Sequence, residues 1–192
     1  MKKIFVLVLV ILISTTTSFS QSFMGITIDG TQSAIKSKLI QKGFKFITSN
    51  DISHMYEGKL NNDDISITVV NTKLSKKVYS FYIKFSDVKD SWSQLESEFK
   101  KKNLILNEKY GSPIKEERVY EYPFDENDGM NLSALESGKL SYLNIWNKVG
   151  ENKLLQILLA ISKEKNIIML YSNTVNREIA TKEEFKNNIN NY

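Results

Sequence analysis

The sequence predicts an α+β domain in which helices pack on one face of a curved antiparallel sheet. Strand-like segments follow one another without intervening helices, which argues against a parallel doubly wound sheet. The element order is helix, three strands, helix, four strands, so a helix-plus-antiparallel-strand unit occurs twice in tandem (α-βββ-α-ββββ). The 192 residues include 10 Phe, 9 Tyr and 2 Trp but only 2 Pro, a composition that can build a core.

The first predicted unit spans residues 23–87. Asp29 and Thr31 supply oxygens that can cap a helix from about Thr31 to Lys42, and Gly43 suits the residue just past its end. Period-two alternation of apolar residues then predicts strands. These strands lie at residues 54–60, 65–70 and 78–85. The last strand alternates most regularly, so one of its faces should lie on the core.

The second predicted unit spans residues 90–175. Ser91 precedes a helix that ends at Tyr110, with Gly111 just past the end and Pro113 two residues later. Four strands are predicted, at residues 115–122, 139–149, 153–162 and 166–172. An acidic loop over residues 125–138 separates the first two and can hold a short helical turn. A polar tail follows from residue 176, in which Thr181 can begin a frayed helix.

Two of these strands are apolar on both faces, which is typical of central strands that are covered on each side. They contain residues 154–161 and 167–170. Either the acidic loop or the tail covers the second face, or a partner does. In the latter case the binding surface is expected to be apolar and aromatic and to include Tyr142 and Trp146.

Residues 1–20 have the pattern of a secretory signal peptide. Lys2 and Lys3 precede an apolar run from Ile4 to Ile13, and small residues stand before a cleavage site at Gln21. The apolar run is about half the ~20 residues that a membrane-spanning helix needs. We therefore expect a mature chain of residues 21–192 that forms one domain, is exported to the periplasm or beyond, and has no transmembrane segment.

The absence of cysteine and the charge exclude several classes of protein. Without cysteine, a lipoprotein anchor, disulfides and zinc–thiolate sites are impossible, so the exported domain is expected to be soluble. Removal of Lys2 and Lys3 lowers the formal charge from +4 to +2. Only Arg118 and Arg177 are arginines, the residue that nucleic-acid sites favour. Nucleic acid is therefore not an expected partner.

No catalytic, cofactor or metal site is predicted from the sequence. His54 is the only histidine, and no G-x-S-x-G nucleophile motif accompanies it. The acidic run that begins at Asp125 has its glycine at the fifth position, which does not fit the spacing of a calcium-binding EF-hand. The pairs at 63–64 and 116–117 would point to opposite faces of a strand, so neither could act as an acid–base couple.

Several short motifs resemble those of a family of small secreted or periplasmic proteins of Gram-negative gut-type bacteria. The motifs are F-x-G-I-x-I-D-G-T (23–31), K-G-F (42–44), W-x-x-L (92–95), K-Y-G-x-P (109–113), G-K-x-x-Y-x-x-x-W (138–146) and Y-x-N-x-x-N (171–176). The resemblance implies export and a compact fold but no activity. The repeated element order also resembles the architecture of beta-lactamase-inhibitor-protein-like folds, an analogy that does not transfer function.

Together these observations favour a non-enzymatic module that binds another protein or an envelope component. Two alternatives stay open at the level of sequence. One is a small envelope hydrolase that uses His54 or a carboxylate pair, and the other is a self-associating structural protein. A deep pocket with converging polar groups would favour the hydrolase, and a shallow apolar sheet face would favour binding.

Overall fold

The computed structural model describes residues 22–149 and 153–189, which form a mixed α/β structure. The elements in chain order are β1 (Ser22–Phe23), β2 (Ile26–Thr27), α1 (Gln32–Gln41), β3 (Lys45–Ser49), β4 (Ser53–Leu60), β5 (Asp63–Asn71), β6 (Val78–Phe85), α2 (Trp92–Tyr110), β7 (Lys115–Tyr120), α3 (Asn131–Glu136), β8 (Leu140–Val149), β9 (Leu155–Ile161), β10 (Ile167–Asn173) and α4 (Thr174–Ile189). The predicted signal peptide and the predicted turn at residues 150–152 lie outside the described residues.

Eight strands form one antiparallel sheet, and β1 pairs with β2 in a separate small sheet. The order in the large sheet is β3-β4-β5-β6-β10-β9-β8-β7. The first strand of each half therefore lies at an edge, and the last strand of each half lies at the centre. The two halves join through the antiparallel pairing of β6 with β10. As predicted from their apolar faces, β9 and β10 are central strands.

The two faces of the sheet differ in what covers them. On the helix face, paired residues form a buried row across five strands: Tyr56, Ile67, Ile83, Met169 and Leu159. Apolar residues of α1 and α2 belong to the same hydrophobic cluster as this row. We call the opposite side the outer face.

The predicted helix caps are present. The Thr31 side chain accepts a hydrogen bond from the Ala34 amide at the start of α1, and the Ser91 side chain accepts one from the Gln94 amide at the start of α2. Gly43 has a φ of +88° just past α1, a left-handed conformation that suits glycine. Local capping chemistry thus determines where these two helices begin and end.

Two of the observed elements, β3 and α4, differ from the predicted ones, whereas α3 was predicted. The edge strand β3 was not predicted, because all five of its residues are exposed and show no alternation of burial. The helical turn expected in the acidic loop is present as α3, which ends just before β8. The C-terminal helix α4 begins at Thr174, seven residues before the expected Thr181, because buried polar contacts rather than apolar periodicity hold its first turn.

The helices also do not all lie on one face of the sheet. Arg177 of α4 donates a hydrogen bond to the Gln156 side chain. Gln156 alternates with the buried Ile157 along β9, so it lies on the outer face. The tail, one of the two predicted covers of the second face, therefore covers only one end of it.

Candidate functional site

The outer face carries an aliphatic patch on three neighbouring central strands. Strand pairing places its six residues in two adjacent rows, Leu170, Leu158 and Ile145 in one and Ile168, Ala160 and Leu143 in the other. We call these six residues the aliphatic patch. All except the alanine are only partly buried, so apolar side chains from three strands remain in contact with solvent. Contiguous apolar surface of this kind is typical of binding sites on soluble proteins.

Polar and charged residues border the aliphatic patch. Tyr82 and Lys84 of β6 flank it on one side, and Lys115 and Glu117 of the edge strand β7 flank it on the other. The Lys115 ammonium group pairs with the Glu117 carboxylate, and this hydrogen bond lowers the pKa of Glu117. Because these two charges offset each other, the β7 border contributes little net charge.

A pocket of about 250 Å³ opens where the aliphatic patch meets α4. It is lined by Ile145, Leu158 and Leu170 from the patch and by Gln156, Ser172 and Arg177 at its rim. An apolar floor with a few polar groups at one side is the usual composition of a ligand site. At this size the pocket accommodates one or two aliphatic side chains rather than a large cofactor.

Arg177 is the one charged residue in this lining. Its Nη1 donates to Gln156 Oε1 at 2.9 Å, and it forms no ion pair with a carboxylate of the described residues. The guanidinium therefore keeps donors available for an anion. The Ser172 hydroxyl, which is buried, lies 3.3 Å from the Ser80 hydroxyl.

Two buried asparagines hold Arg177 in place by fixing the start of α4. Asn173 Oδ1 caps the helix by accepting from the Asn176 amide, and Asn173 Nδ2 donates to the Ile28 carbonyl at 3.0 Å. Asn176 Nδ2 donates to Asp29 Oδ1 and to the Val78 carbonyl, both at 2.9 Å. These bonds connect α4 to the N-terminal segment and to β6. Arg177 is the next residue along the chain.

Tyr142 and Trp146, the two binding residues predicted from the sequence, lie on the helix face. Trp146 is fully buried, and its Nε1 donates to the Gly111 carbonyl at 2.8 Å. The Tyr142 ring makes edge contacts with Trp92 and Phe99 of α2, at centroid distances of 5.1 and 4.9 Å. A partner would reach either ring only after displacement of α2.

Arg118, the other arginine, connects the edge strand β7 to its neighbours. Its guanidinium carbon lies 3.6 Å from the centre of the Tyr142 ring, a stacked cation–π contact. Its nitrogens donate to the Leu143 carbonyl and to the fully buried Asn144 side chain. The donors of Arg118 are thus engaged within the fold, in contrast to those of Arg177.

His54 lies on β4, away from the aliphatic patch. Its ring contacts Phe46 at a centroid distance of 6.0 Å. Burial, and then the charge of Lys36, lower the pKa of His54 and thus favour its neutral form. Among the described residues, no hydrogen bond joins His54 to a carboxylate or a hydroxyl, and its buried Nδ1 has no partner. A Ser-His-Asp arrangement is therefore not formed in this part of the chain.

The carboxylates that the sequence places side by side diverge in the structure. Asp63 pairs with Lys102, whereas Asp64 pairs with Lys59 at 3.5 Å. In the acidic loop, the Asp125 and Asp128 side chains accept hydrogen bonds from nearby backbone amides. Within residues 22–149 and 153–189, no group of three or more histidines or carboxylates is arranged to hold a metal ion.

Residues of the sequence motifs contact one another across the fold. Asn173 and Asn176 bond to the segment that contains Ile28 and Asp29, and the rings of Phe23 and Tyr171 are 5.4 Å apart. Likewise, the K-Y-G-x-P motif provides the carbonyl that accepts from Trp146. The motifs therefore mark positions that hold the fold together.

The sequence predicted some of the residues of the aliphatic patch. The two-sided apolar pattern of β9 and β10 pointed to the outer face, but Leu143 and Ile145 of β8 were not selected. Apolar residues occur on both faces of β8, and only its pairing with β9, in which Trp146 is opposite Ile157, shows which set faces the helices. A shift of one residue would exchange the two sets.

In the part of the chain that the structure describes, no helix has both the length and the apolar character needed to cross a membrane. Comparisons of the chain with family models, with curated proteins and with solved structures found no match.

Proposed function

We propose that this chain is an exported, non-enzymatic module that binds another protein of the cell envelope through the outer face of its sheet. Export is the expectation from residues 1–20. The observation that carries the proposal is the aliphatic patch, which is partly exposed on three central strands and ends in a pocket of about 250 Å³. Burial of such surface on association is favourable by roughly 25 cal/mol per Å² of apolar area.

The groups around the pocket support binding rather than catalysis. A guanidinium does not release its proton at physiological pH, so Arg177 cannot serve as a general acid or base. Ser172 contacts another serine hydroxyl rather than a base that could activate it. Neither His54 nor a carboxylate, the groups considered for a hydrolase, lines this pocket. These features do not favour the hydrolase alternative.

The proposal is tested by site-specific photo-crosslinking of the exported protein in cells. A photoreactive side chain at Leu158, in the aliphatic patch, is compared with one at Leu104, which is 63% exposed on α2. We expect position 158 to crosslink one envelope protein that position 104 does not. That protein, once purified, should bind the wild type about tenfold more tightly than Leu170→Gln, and Leu104→Gln should bind like the wild type.

The possible results separate the alternatives. Crosslinks from position 158 only to another copy of this chain would support the self-associating structural protein instead. Identical crosslinks from both positions would contradict a role for the aliphatic patch. Unfolding curves of the variants check that each substitution leaves the fold intact.

A further inference from the structure

The rim of the pocket presents hydrogen-bond donors and a positive charge beside an apolar floor. Arg177 uses Nη1 to bond Gln156 Oε1, which turns the amide oxygen of Gln156 toward the guanidinium. The amide nitrogen of Gln156 makes no hydrogen bond within the described residues, so both side chains retain donors. A guanidinium is well suited to bind a carboxylate through two parallel hydrogen bonds.

We infer that the pocket binds the carboxyl-terminal residue of a partner polypeptide when that residue is aliphatic. The inference rests on the proposed function and names the part of the partner that is recognised. The last side chain enters the apolar floor formed by Ile145, Leu158 and Leu170, and the terminal carboxylate accepts hydrogen bonds from the rim. Capture of a chain terminus by clustered donors is a known mode of peptide recognition.

The arrangement favours a chain terminus over an internal acidic residue. In an extended peptide, neighbouring side chains point to opposite sides, so an aliphatic residue and an adjacent Asp or Glu cannot enter the same pocket together. A carboxyl-terminal residue carries its side chain and its carboxylate on one Cα atom. Both groups therefore fit within a single pocket of about 250 Å³.

The same arrangement disfavours a fatty acid, which also combines an aliphatic group with a carboxylate. A long alkyl chain needs a deep enclosed channel to leave water. This pocket is instead bounded by six residues at the sheet surface. The carboxylate that this pocket binds is thus the terminus of a polypeptide.

The test measures the affinity of the mature protein for short peptides by NMR titration. The probes are acetyl-Ala-Ala-Leu with a free carboxylate, the same peptide as its carboxyl-terminal amide, and octanoate. The protein variants are Arg177→Gln and, as a control with the same change of charge on the exposed side of α4, Lys182→Gln. We expect the wild type and Lys182→Gln to bind the free acid about tenfold more tightly than the amide and more tightly than octanoate. Arg177→Gln should bind acid and amide equally.

Equal binding of acid and amide by the wild type, or an unchanged preference in Arg177→Gln, would overturn the inference. Tighter binding of octanoate than of the peptide acid would contradict the claim that the bound carboxylate belongs to a polypeptide. If the free-acid peptide does not bind more tightly than its amide while position 158 still crosslinks an envelope protein, the inference is wrong and the proposed function stands. If position 158 crosslinks no more than position 104, the proposed function itself is wrong.

Discussion

Asp29 and Asn176 illustrate how single polar residues hold distant parts of this chain together. They are separated by 147 positions, yet the Asn176 amide donates to the Asp29 carboxylate and to the Val78 carbonyl. Burial of an amide is costly unless its hydrogen bonds are satisfied, and these contacts satisfy it. The hydrogen bond from Asn176, followed by one from the Gly30 amide, lowers the pKa of Asp29 below 3.8.

We predict that the Asp29 charge stabilises the fold above about pH 4 and that this contribution is lost in acid. A depressed folded-state pKa means that the contribution is complete above the unfolded value and disappears as the pH falls through the folded pKa. Asp29→Asn should lower the free energy of unfolding at pH 6 by about 0.5–1 kcal/mol, a small effect because solvent screens this exposed group. Urea unfolding at pH 6 and pH 2.5 measures the difference.

Asp51→Asn serves as the control, since the Asp51 carboxylate accepts no hydrogen bond from the described residues. It should unfold like the wild type at both pH values. A difference between Asp29→Asn and the wild type that is equally large at pH 2.5 would contradict the prediction.

Tyr142 and Trp146 show where prediction from single residues reaches its limit. Aromatic residues are frequent both in cores and in binding interfaces. Apolar residues occur on both faces of β8, so its sequence alone does not say which face carries the helices. The contacts of Trp146 with Gly111 and of Tyr142 with Phe99 decide that question for these two rings.

At the scale of elements, β4 and α1 fit together through a glycine. Phe44 follows the glycine that ends α1, and its buried ring lies against Gly58 of β4. A Cβ atom at position 58 would lie 2.7 Å from Phe44 Cδ1 and 3.0 Å from Cγ. The strand thus lacks a side chain where the aromatic ring approaches its backbone.

We predict that Gly58→Ala destabilises the fold by roughly 1–3 kcal/mol, because the buried ring cannot move away without strain. The double variant Gly58→Ala with Phe44→Leu should recover part of this loss, since the smaller side chain makes room for the methyl group. Urea unfolding of the wild type, both single variants and the double variant measures the coupling. Additive effects of the two substitutions would contradict a direct clash between positions 58 and 44.

Most elements could be predicted because their own residues determine them. Capping residues and a following glycine delimit α1 and α2, and alternation identifies the half-buried strands. The edge strand β3 lacks alternation because all five of its residues are exposed, so neither of its faces is buried. The start of α4 was not predicted because asparagine is typical of loops, and the partners that hold Asn173 and Asn176 come from residues 28, 29 and 78, far away in the chain.

At the scale of the whole molecule, the two halves share one sheet and one hydrophobic cluster. If β6 and β10 did not pair with each other, each would be an exposed edge strand, and exposed edges of apolar strands are prone to aggregation. The segment around Ile28 also bonds to the start of α4. Neither half is therefore complete without the other.

We predict that the described chain unfolds in a single cooperative transition. Trp92 and Trp146 are the only tryptophans, and both lie in the second half, so their fluorescence reports on that half alone. Ile67 is fully buried in the first half, and Ile67→Val should lower the free energy of unfolding by about 1 kcal/mol. The tryptophan fluorescence midpoint in urea should shift as far as the far-UV circular dichroism midpoint. An unchanged fluorescence midpoint in this variant would show that the halves unfold independently.

The sequence by itself determined the α+β class, nearly all of the elements and the central position of β9 and β10, because these depend on local capping and on the alternation of apolar residues. Only the tertiary structure decided which side of β8 faces the helices and how α4 places Arg177 beside Leu158 and Leu170. The physical reason is that the candidate site depends on strand register and on hydrogen bonds between residues far apart in the chain. Neither leaves a periodic signal in the sequence.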